Sequence, residues 1–137
     1  MKKAGLQPRK IDGDGIIISK KGQVEYFSEI LSQPDKPTAM VLYWSSLVVA
    51  MLRAVRKKKL RVPEDLSLIT FASCSADDAR LSVNAMIEPE SKMGEESVKI
   101  LCRKIEKPKR VFPSKALKFS FCDVGSCWKI SNRPTRN

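Results

Sequence analysis

A strand–helix–strand pattern over residues 37–71 constrains the fold of this chain more than any other feature of its sequence. Residues 40–43 and 66–71 are short apolar runs of strand-forming residues, and residues 46–58 between them carry apolar side chains at helical spacing. Two buried strands joined by a helix form a right-handed crossover in a parallel sheet, so the pattern predicts an α/β fold. Ligands of such sheets bind beyond the carboxyl ends of the strands, expected here at Tyr43-Trp44-Ser45 and Phe71-Ala72-Ser73.

Apolar patterns elsewhere predict further strands and helices around this unit. Residues 16–18 predict a short buried strand, and residues 22–31 carry a helical apolar stripe. Residues 84–87 are predicted as a short strand or crossover, and residues 88–105 as a second long helix. Alternation at residues 117–121 predicts a strand with one polar face. The predicted sheet is therefore parallel in residues 16–18, 40–43 and 66–71, extended by 117–121 and flanked by the helices at 22–31 and 46–58.

The helix predicted at residues 46–58 has suitable ends and an unusually wide apolar surface. Ser45 or Ser46 is expected to accept a hydrogen bond from a free N–H group of the first turn. A surface helix needs one apolar face, whereas this one is apolar over more of its circumference. It is therefore either enclosed in its own fold or placed between the sheet and a second subunit. The second alternative predicts a homodimer contact through Leu47, Val48, Met51 and Val55.

The chain contains no histidine, which excludes the Ser-His-Asp, Cys-His and histidine–metal groups of many enzymes. The paired carboxylates fall in polar surroundings, and no phosphate-binding loop motif is present. We therefore expect neither an enzyme nor a bound cofactor. The four cysteines have no CxxC spacing, which favours reduced thiols in a cytoplasmic protein over a metal site.

The balance of 26 basic and 15 acidic residues gives a formal charge of +11. Such a charge makes a small basic nucleic-acid-binding protein the alternative hypothesis. The basic residues form separate clusters without interleaved aromatic residues, which favours a solvated surface instead. No apolar run approaches the roughly 18–20 residues of a membrane span, and no signal-peptide pattern is seen at the start.

An ordered set of short motifs runs through the chain: Pro37-Thr38-Ala39, Arg53-Ala54, the run from Leu60 to Ser67, Phe71, Pro89, Met93-Gly94 and Gly125-Ser126-Cys127. In order and spacing, this set resembles the effector-sensing domain of the lactose-repressor/galactose-repressor (LacI/GalR) class of bacterial transcription regulators. The agreement extends over most of the chain. That domain is built like a periplasmic sugar-binding protein.

The resemblance implies one lobe, the C-terminal half, of a type I periplasmic-binding-protein-like fold. Residues 1–128 would form part of an effector-sensing domain, and residues 129–137 a polar tail. Residues 84–107 would cross into a first lobe that the chain does not encode. No helix-turn-helix pattern is present, so the chain is not expected to bind DNA by itself. The helix at 88–105 would then expose the apolar side chains Met93, Val98, Leu101 and Ile105.

Four positions match the family's ligand contacts: Trp44, Ser45, Ala72 and Ser73. Members usually have Asn-Asp at the places of Trp44 and Ser45, and Asp at the place of Ala72. A carboxylate suits a sugar because it accepts hydrogens from two hydroxyl groups. With these groups replaced, the small-molecule effector is expected to be more apolar than a sugar, or sensing to be lost.

Overall fold

The computed structural model describes residues 22–73 and 82–128. The predicted strand at 16–18 and the predicted tail at 129–137 lie outside the described residues. The described elements are α1 (Gln23–Ile30), β1 (Ala39–Leu42), α2 (Ser46–Lys57), β2 (Ser67–Ala72), β3 (Asn84–Ile87), α3 (Glu90–Glu106) and β4 (Ser120–Cys122).

The described strands form one mixed sheet in the order β1-β2-β3-β4. β1 pairs with β2 in parallel, with Met40 opposite Leu68, and β2 pairs with β3 in parallel, with Phe71 opposite Met86. The predicted α/β unit with a parallel pair at residues 40–43 and 66–71 is therefore confirmed.

The last part of the sheet differs from the prediction in two ways. The predicted strand at 117–121 begins three residues later, at Ser120, and β4 runs antiparallel to β3. Alternation identifies a strand but contains no information on its direction, which depends on how the chain returns from α3. In addition, residues Asn84–Ile87 form a strand that pairs with β2 in this sheet, which is the strand alternative predicted for that segment.

The hydrophobic core lies between one face of the sheet and the helices α1 and α2. Leu42, Leu68 and Ala72 are buried on that face, because side chains alternate along each strand. Met51 and Ala54 of α2 are fully buried, and the core cluster also includes α1 side chains. Burying one large aliphatic side chain contributes roughly 1.5–3 kcal/mol, so this layer is the main source of stability.

The opposite face of the sheet is open in the described part of the chain. Val41 of β1 and Phe121 of β4 are both exposed there. Both helices that pack on the described sheet therefore lie on one side of it. The predicted flanking helices are confirmed, and they share one face of the sheet.

The start of α2 does not use the serine cap that the sequence predicted. Ser45 occupies the N-cap position, but its backbone is already helical and its side chain makes no capping hydrogen bond. The N–H groups of Leu47 and Val48 instead donate to the carbonyl oxygens of Trp44 and Ser45, both at 3.0 Å. Backbone carbonyls thus satisfy the first turn, and the serine hydroxyls are not used there.

The helix α3 contains no buried residue. The side chains predicted to be exposed are exposed, and Ile105 is the most open of them at 72%. Lys115 forms an ion pair with Glu96 of α3, with 2.8 Å between Nζ and Oε2. This contact lowers the pKa of the Glu96 carboxyl by hydrogen bonding, but it covers none of the apolar stripe. Of the helices within 22–73 and 82–128, none has the length and hydrophobicity that a membrane crossing requires.

Candidate functional site

A cleft of about 340 Å³ lies at the carboxyl ends of β1, β2 and β3. Because parallel strands end at the same edge of the sheet, the residues that follow them are brought together there. The cleft is lined by Tyr43, Trp44, Ser45, Ser46, Phe71, Ala72, Ser73, Glu88 and Glu90. Its volume falls in the lower part of the range typical of small-molecule sites, about 300–1,000 Å³.

The four positions predicted as effector contacts all line this cleft. Trp44 and Ser45 follow β1, whereas Ala72 ends β2 and Ser73 follows it. Trp44 is 49% exposed, so part of its indole ring faces open space, and Ala72 is buried at the base of the sheet edge. The structure thus brings the predicted residues together, and their role in binding stays a prediction.

Aromatic rings in mutual contact form one side of the cleft. The ring centroids of Trp44 and Tyr43 are 5.7 Å apart at an interplanar angle of 71°. Those of Tyr43 and Phe71 are 5.9 Å apart at 47°, and Phe71 meets Phe119 edge-on at 6.1 Å. These are the separations and tilts that aromatic pairs prefer, so the rings support one another. Tyr43 and Phe71 belong to the two strand ends at which the sequence predicted ligand binding.

Two carboxylates that the sequence analysis did not identify complete the lining. The N–H group of Glu88 donates to the carbonyl of Ala72 at 2.9 Å, which fixes Glu88 beside the end of β2. Glu90 is the first residue of α3. Within the described residues, no ion pair engages either carboxylate. The signal that could have found them is the strand prediction at 84–87, because Glu88 follows directly after it.

The residues predicted at a dimer contact lie in the core of this chain. Leu47, Val48, Met51 and Val55 are all at most 5% exposed. They face α1 and the sheet, which is the first of the two alternatives that the sequence left open. These side chains have almost no surface left for a second subunit, so a contact through α2 has to use its outer side, where Val49 is 55% exposed.

The described part of the chain offers no metal-binding site. No group of three or more cysteine, aspartate and glutamate side chains is placed there to hold a metal ion. The cleft therefore offers stacking surfaces, hydroxyl groups and two carboxylates.

Comparison with known proteins assigns the chain to a family. The family model described as "periplasmic binding protein-like domain" matches residues 1–123. The arabinose metabolism transcriptional repressor of Geobacillus stearothermophilus is 29% identical over 86 residues, 61% of this chain and 24% of the relative. The ribose operon repressor of Haemophilus influenzae is 26% identical over 94 residues, 64% of this chain and 27% of that protein. The chain thus spans about a quarter of the length of these curated relatives.

Solved structures show the same fold. A LacI family transcriptional regulator from Bifidobacterium animalis subsp. lactis aligns with a TM-score of 0.76 at 20% identity, over 92% of this chain and 45% of that one. A LacI family regulator from Enterococcus faecium with bound ribose aligns with a TM-score of 0.63 at 21% identity, over 87% of this chain and 42% of that one. The lac repressor dimer bound to operator aligns with a TM-score of 0.72 at 19% identity, over 93% of this chain and 44% of that one.

Proposed function

The chain belongs to the family of periplasmic binding protein-like domains, and we propose on that premise that it is the ligand-sensing and dimerisation part of a bacterial LacI-type transcription regulator. Its curated relatives are transcriptional repressors and not enzymes. In this proposal the chain contributes effector binding, and the reading of DNA belongs to a helix-turn-helix domain of the whole regulator.

The observation that carries the proposal is the position of the cleft. The ends of the neighbouring parallel strands β1 and β2 meet there, and they bring Trp44 and Ser45 close to Ala72 and Ser73. These four residues match the family's ligand contacts, and all of them line the cleft. Such an edge is the usual ligand site of open α/β sheets. Trp44, Ser45 and Ala72 give it an aromatic ring, a hydroxyl and a methyl group, so the effector differs from the sugars bound by some relatives.

The exposed stripe of α3 supports the second part of the proposal, that this lobe works with another one. Met93, Val98, Leu101 and Ile105 together present an apolar surface that nothing in the described part of the chain covers. In a two-lobed sensor, this helix would belong to the first lobe and be buried against it. The effector would then be enclosed between the two lobes.

Thermal unfolding in the presence of small molecules tests the effector-binding function. A ligand that binds the folded chain at about 100 times its Kd adds about 2.7 kcal/mol, which raises Tm by several degrees. We expect a ligand from a panel of sugars, nucleosides, amino acids and amines to do so, and Trp44→Ala to remove the shift. Val111→Ala, which trims an exposed side chain outside the cleft and outside α2, is the matched control.

The function is contradicted if no member of the panel raises Tm of the wild type. It is also contradicted if a shift persists unchanged in the Trp44→Ala protein, because the ligand would then bind elsewhere.

One observation favours the alternative of nucleic-acid binding. The turn after α3 exposes Lys107, Lys109 and Arg110, and the guanidinium of Arg110 lies 5.7 Å from the ring centroid of Phe112. Fluorescence anisotropy with a labelled duplex and a labelled single strand tests it. Binding that weakens steeply as salt rises, and that Lys107→Ala with Lys109→Ala reduces, would support this alternative.

A further inference from the structure

We infer that the cleft at the carboxyl ends of β1, β2 and β3 takes an organic cation, an ammonium or quaternary ammonium group on an apolar or aromatic body. The inference names the ligand class of the site, and it rests on the proposed effector-binding function. Its basis is the combination, in one cavity, of aromatic rings and two carboxylates that form no ion pair within the described residues.

The charge of the lining is opposite to that of the chain. Among the residues that the structure describes, Glu88 and Glu90 are the only charged ones that line the cleft, although basic residues outnumber acidic ones by 26 to 15 in the sequence. Neither carboxylate is engaged in an ion pair within the described residues. Because interactions between exposed charges are screened over about 8–10 Å, a ligand in the cleft interacts more strongly with these two carboxylates than with basic residues that do not line it. Their negative charge favours a cation over an anion.

The aromatic rings add a second attraction for the same kind of ligand. Trp44 and Tyr43 are 49% and 67% exposed, so their faces remain available beside the cavity. Their planes are inclined by 71°, and Phe71 is tilted by 47° from Tyr43, so the rings present their surfaces in different directions. Rings arranged around a site in this way stabilise an ammonium group, because the face of each ring is negative.

Hydrogen-bond capacity separates a cation from a neutral sugar. Ionised carboxylates only accept hydrogen bonds, and a primary ammonium group only donates them. An ammonium group therefore matches Glu88 and Glu90 in both charge and hydrogen bonding. A neutral hydroxylated ligand gains the hydrogen bonds alone, without the attraction of charge or the interaction with the ring faces.

Tryptophan fluorescence of a single-tryptophan protein provides the test. The sequence has two tryptophans, Trp44 and Trp128, so the full chain with Trp128→Phe reports on Trp44 alone. The probes share one ring and differ in charge: benzyltrimethylammonium, benzylammonium, benzyl alcohol and benzoate, with ribose as the sugar. We expect both cations to quench Trp44 and to bind about tenfold or more tighter than benzyl alcohol, a difference of about 1.4 kcal/mol. Benzoate should be the weakest of the aromatic probes.

Charge removal identifies the groups responsible. Glu88→Gln with Glu90→Gln should weaken cation binding about tenfold and leave benzyl alcohol unchanged, about 1.4 kcal/mol for the lost attraction. Glu95→Gln is the control, because Glu95 lies on the same helix, pairs with Lys99 and does not line the cleft. Far-UV circular dichroism of each variant confirms that it is folded.

Equal affinity for benzyl alcohol and the cations, or no effect of the double substitution, overturns the cation inference and leaves effector binding at Trp44 intact. Ribose binding without cation binding also overturns the cation inference and leaves effector binding intact. Failure of every probe overturns the cation inference, and the thermal-shift panel then decides separately whether the cleft binds any effector.

Discussion

Asn84 and Ser126 hold each other through two reciprocal hydrogen bonds. The N–H group of Asn84 donates to Ser126 Oγ, and the N–H group of Ser126 donates to Asn84 Oδ1 at 3.1 Å. Ser126 Oγ in turn donates to the carbonyl of Leu68 at 2.7 Å. Both residues are 3% exposed. They therefore fasten the turn after β4 to the starts of β2 and β3.

Replacement of Ser126 by alanine should lower the free energy of unfolding by about 1–3 kcal/mol, because the buried N–H group of Asn84 loses its acceptor. Urea denaturation measures the change. Ser97→Ala is the control, because the Ser97 hydroxyl donates to the Met93 carbonyl on the exposed surface of α3. We expect that control to change stability by less than about 0.5 kcal/mol. Equal losses in the two variants would contradict a specific role for Ser126.

Association through α2 should depend on the exposed Val49, because the contact residues predicted from the sequence, Leu47, Val48, Met51 and Val55, are enclosed in the core. Val49→Asp is expected to shift the chain from dimer towards monomer in sedimentation velocity while it remains folded. Val111→Asp makes the same change at a residue that is 89% exposed outside α2, and it should leave association unchanged. A wild type that is monomeric at high concentration would refute the homodimer. Aspartate at Val48 or Met51 should unfold the chain.

Titration with common hexoses and pentoses should show no tight binding. Trp44, Ser45 and Ala72 stand where relatives of this class usually carry polar and acidic ligand contacts. Each missing charged hydrogen-bond partner typically costs about 1.5–3 kcal/mol, roughly ten- to hundredfold in affinity. Isothermal calorimetry measures this directly. A micromolar affinity for ribose or glucose would show that other groups, such as Glu88, replace the lost contacts.

Amides of α3 should exchange hydrogen faster than those of α2. None of the α3 side chains is buried, whereas α2 contains fully buried Met51 and Ala54. Local opening of a helix requires little free energy when few apolar contacts hold it. Hydrogen exchange followed by mass spectrometry compares the two helices within one sample, so each serves as a reference for the other. Equal protection in a monomer would show that α3 is packed within this chain, and it would remove a main support for a two-lobed sensor.

The thiol of Cys127 should ionise at a higher pH in the folded chain than in the unfolded chain. Partial burial raises the pKa of this thiol, and the negative charge of Asp123 raises it further. The pH dependence of alkylation by iodoacetamide measures the shift, because only the thiolate reacts. The experiment uses a variant in which Cys74, Cys102 and Cys122 are serine. Identical midpoints in buffer and in urea would contradict the assignment.

The strand–helix–strand unit was predictable because its signals are local. Residues 40–43 and 66–71 are apolar runs, and the stripe of α2 repeats at helical spacing. The same locality explains the errors. A serine before a helix favours a cap, but the backbone of Ser45 was already helical, so carbonyl groups took over. A wide apolar surface on α2 could not reveal that α1 packs against part of it within the same chain.

The part of the candidate site at the ends of β1 and β2 was predictable, because the sequence pattern shows two strands joined by a helix. Trp44, Ser45, Ala72 and Ser73 follow from the rule that ligands bind at the carboxyl ends of parallel strands. Glu88 and Glu90 escaped prediction because their place depends on the register between β2 and β3, which puts Ile87 opposite Ala72. No periodic pattern within residues 84–87 specifies that register.

The bond between Asn84 and Ser126 also sets an order of events during synthesis. The two residues are 42 positions apart, and Leu68 lies 58 positions before Ser126. At roughly 5–20 residues per second, the ribosome needs about 2–8 s to add the stretch between Asn84 and Ser126. β1, α2 and β2 are close in sequence and can assemble while the rest is still being made. The polar groups at the start of β3 stay hydrated until Ser126 has been added, so these hydrogen bonds form only after the turn that follows β4 leaves the ribosome.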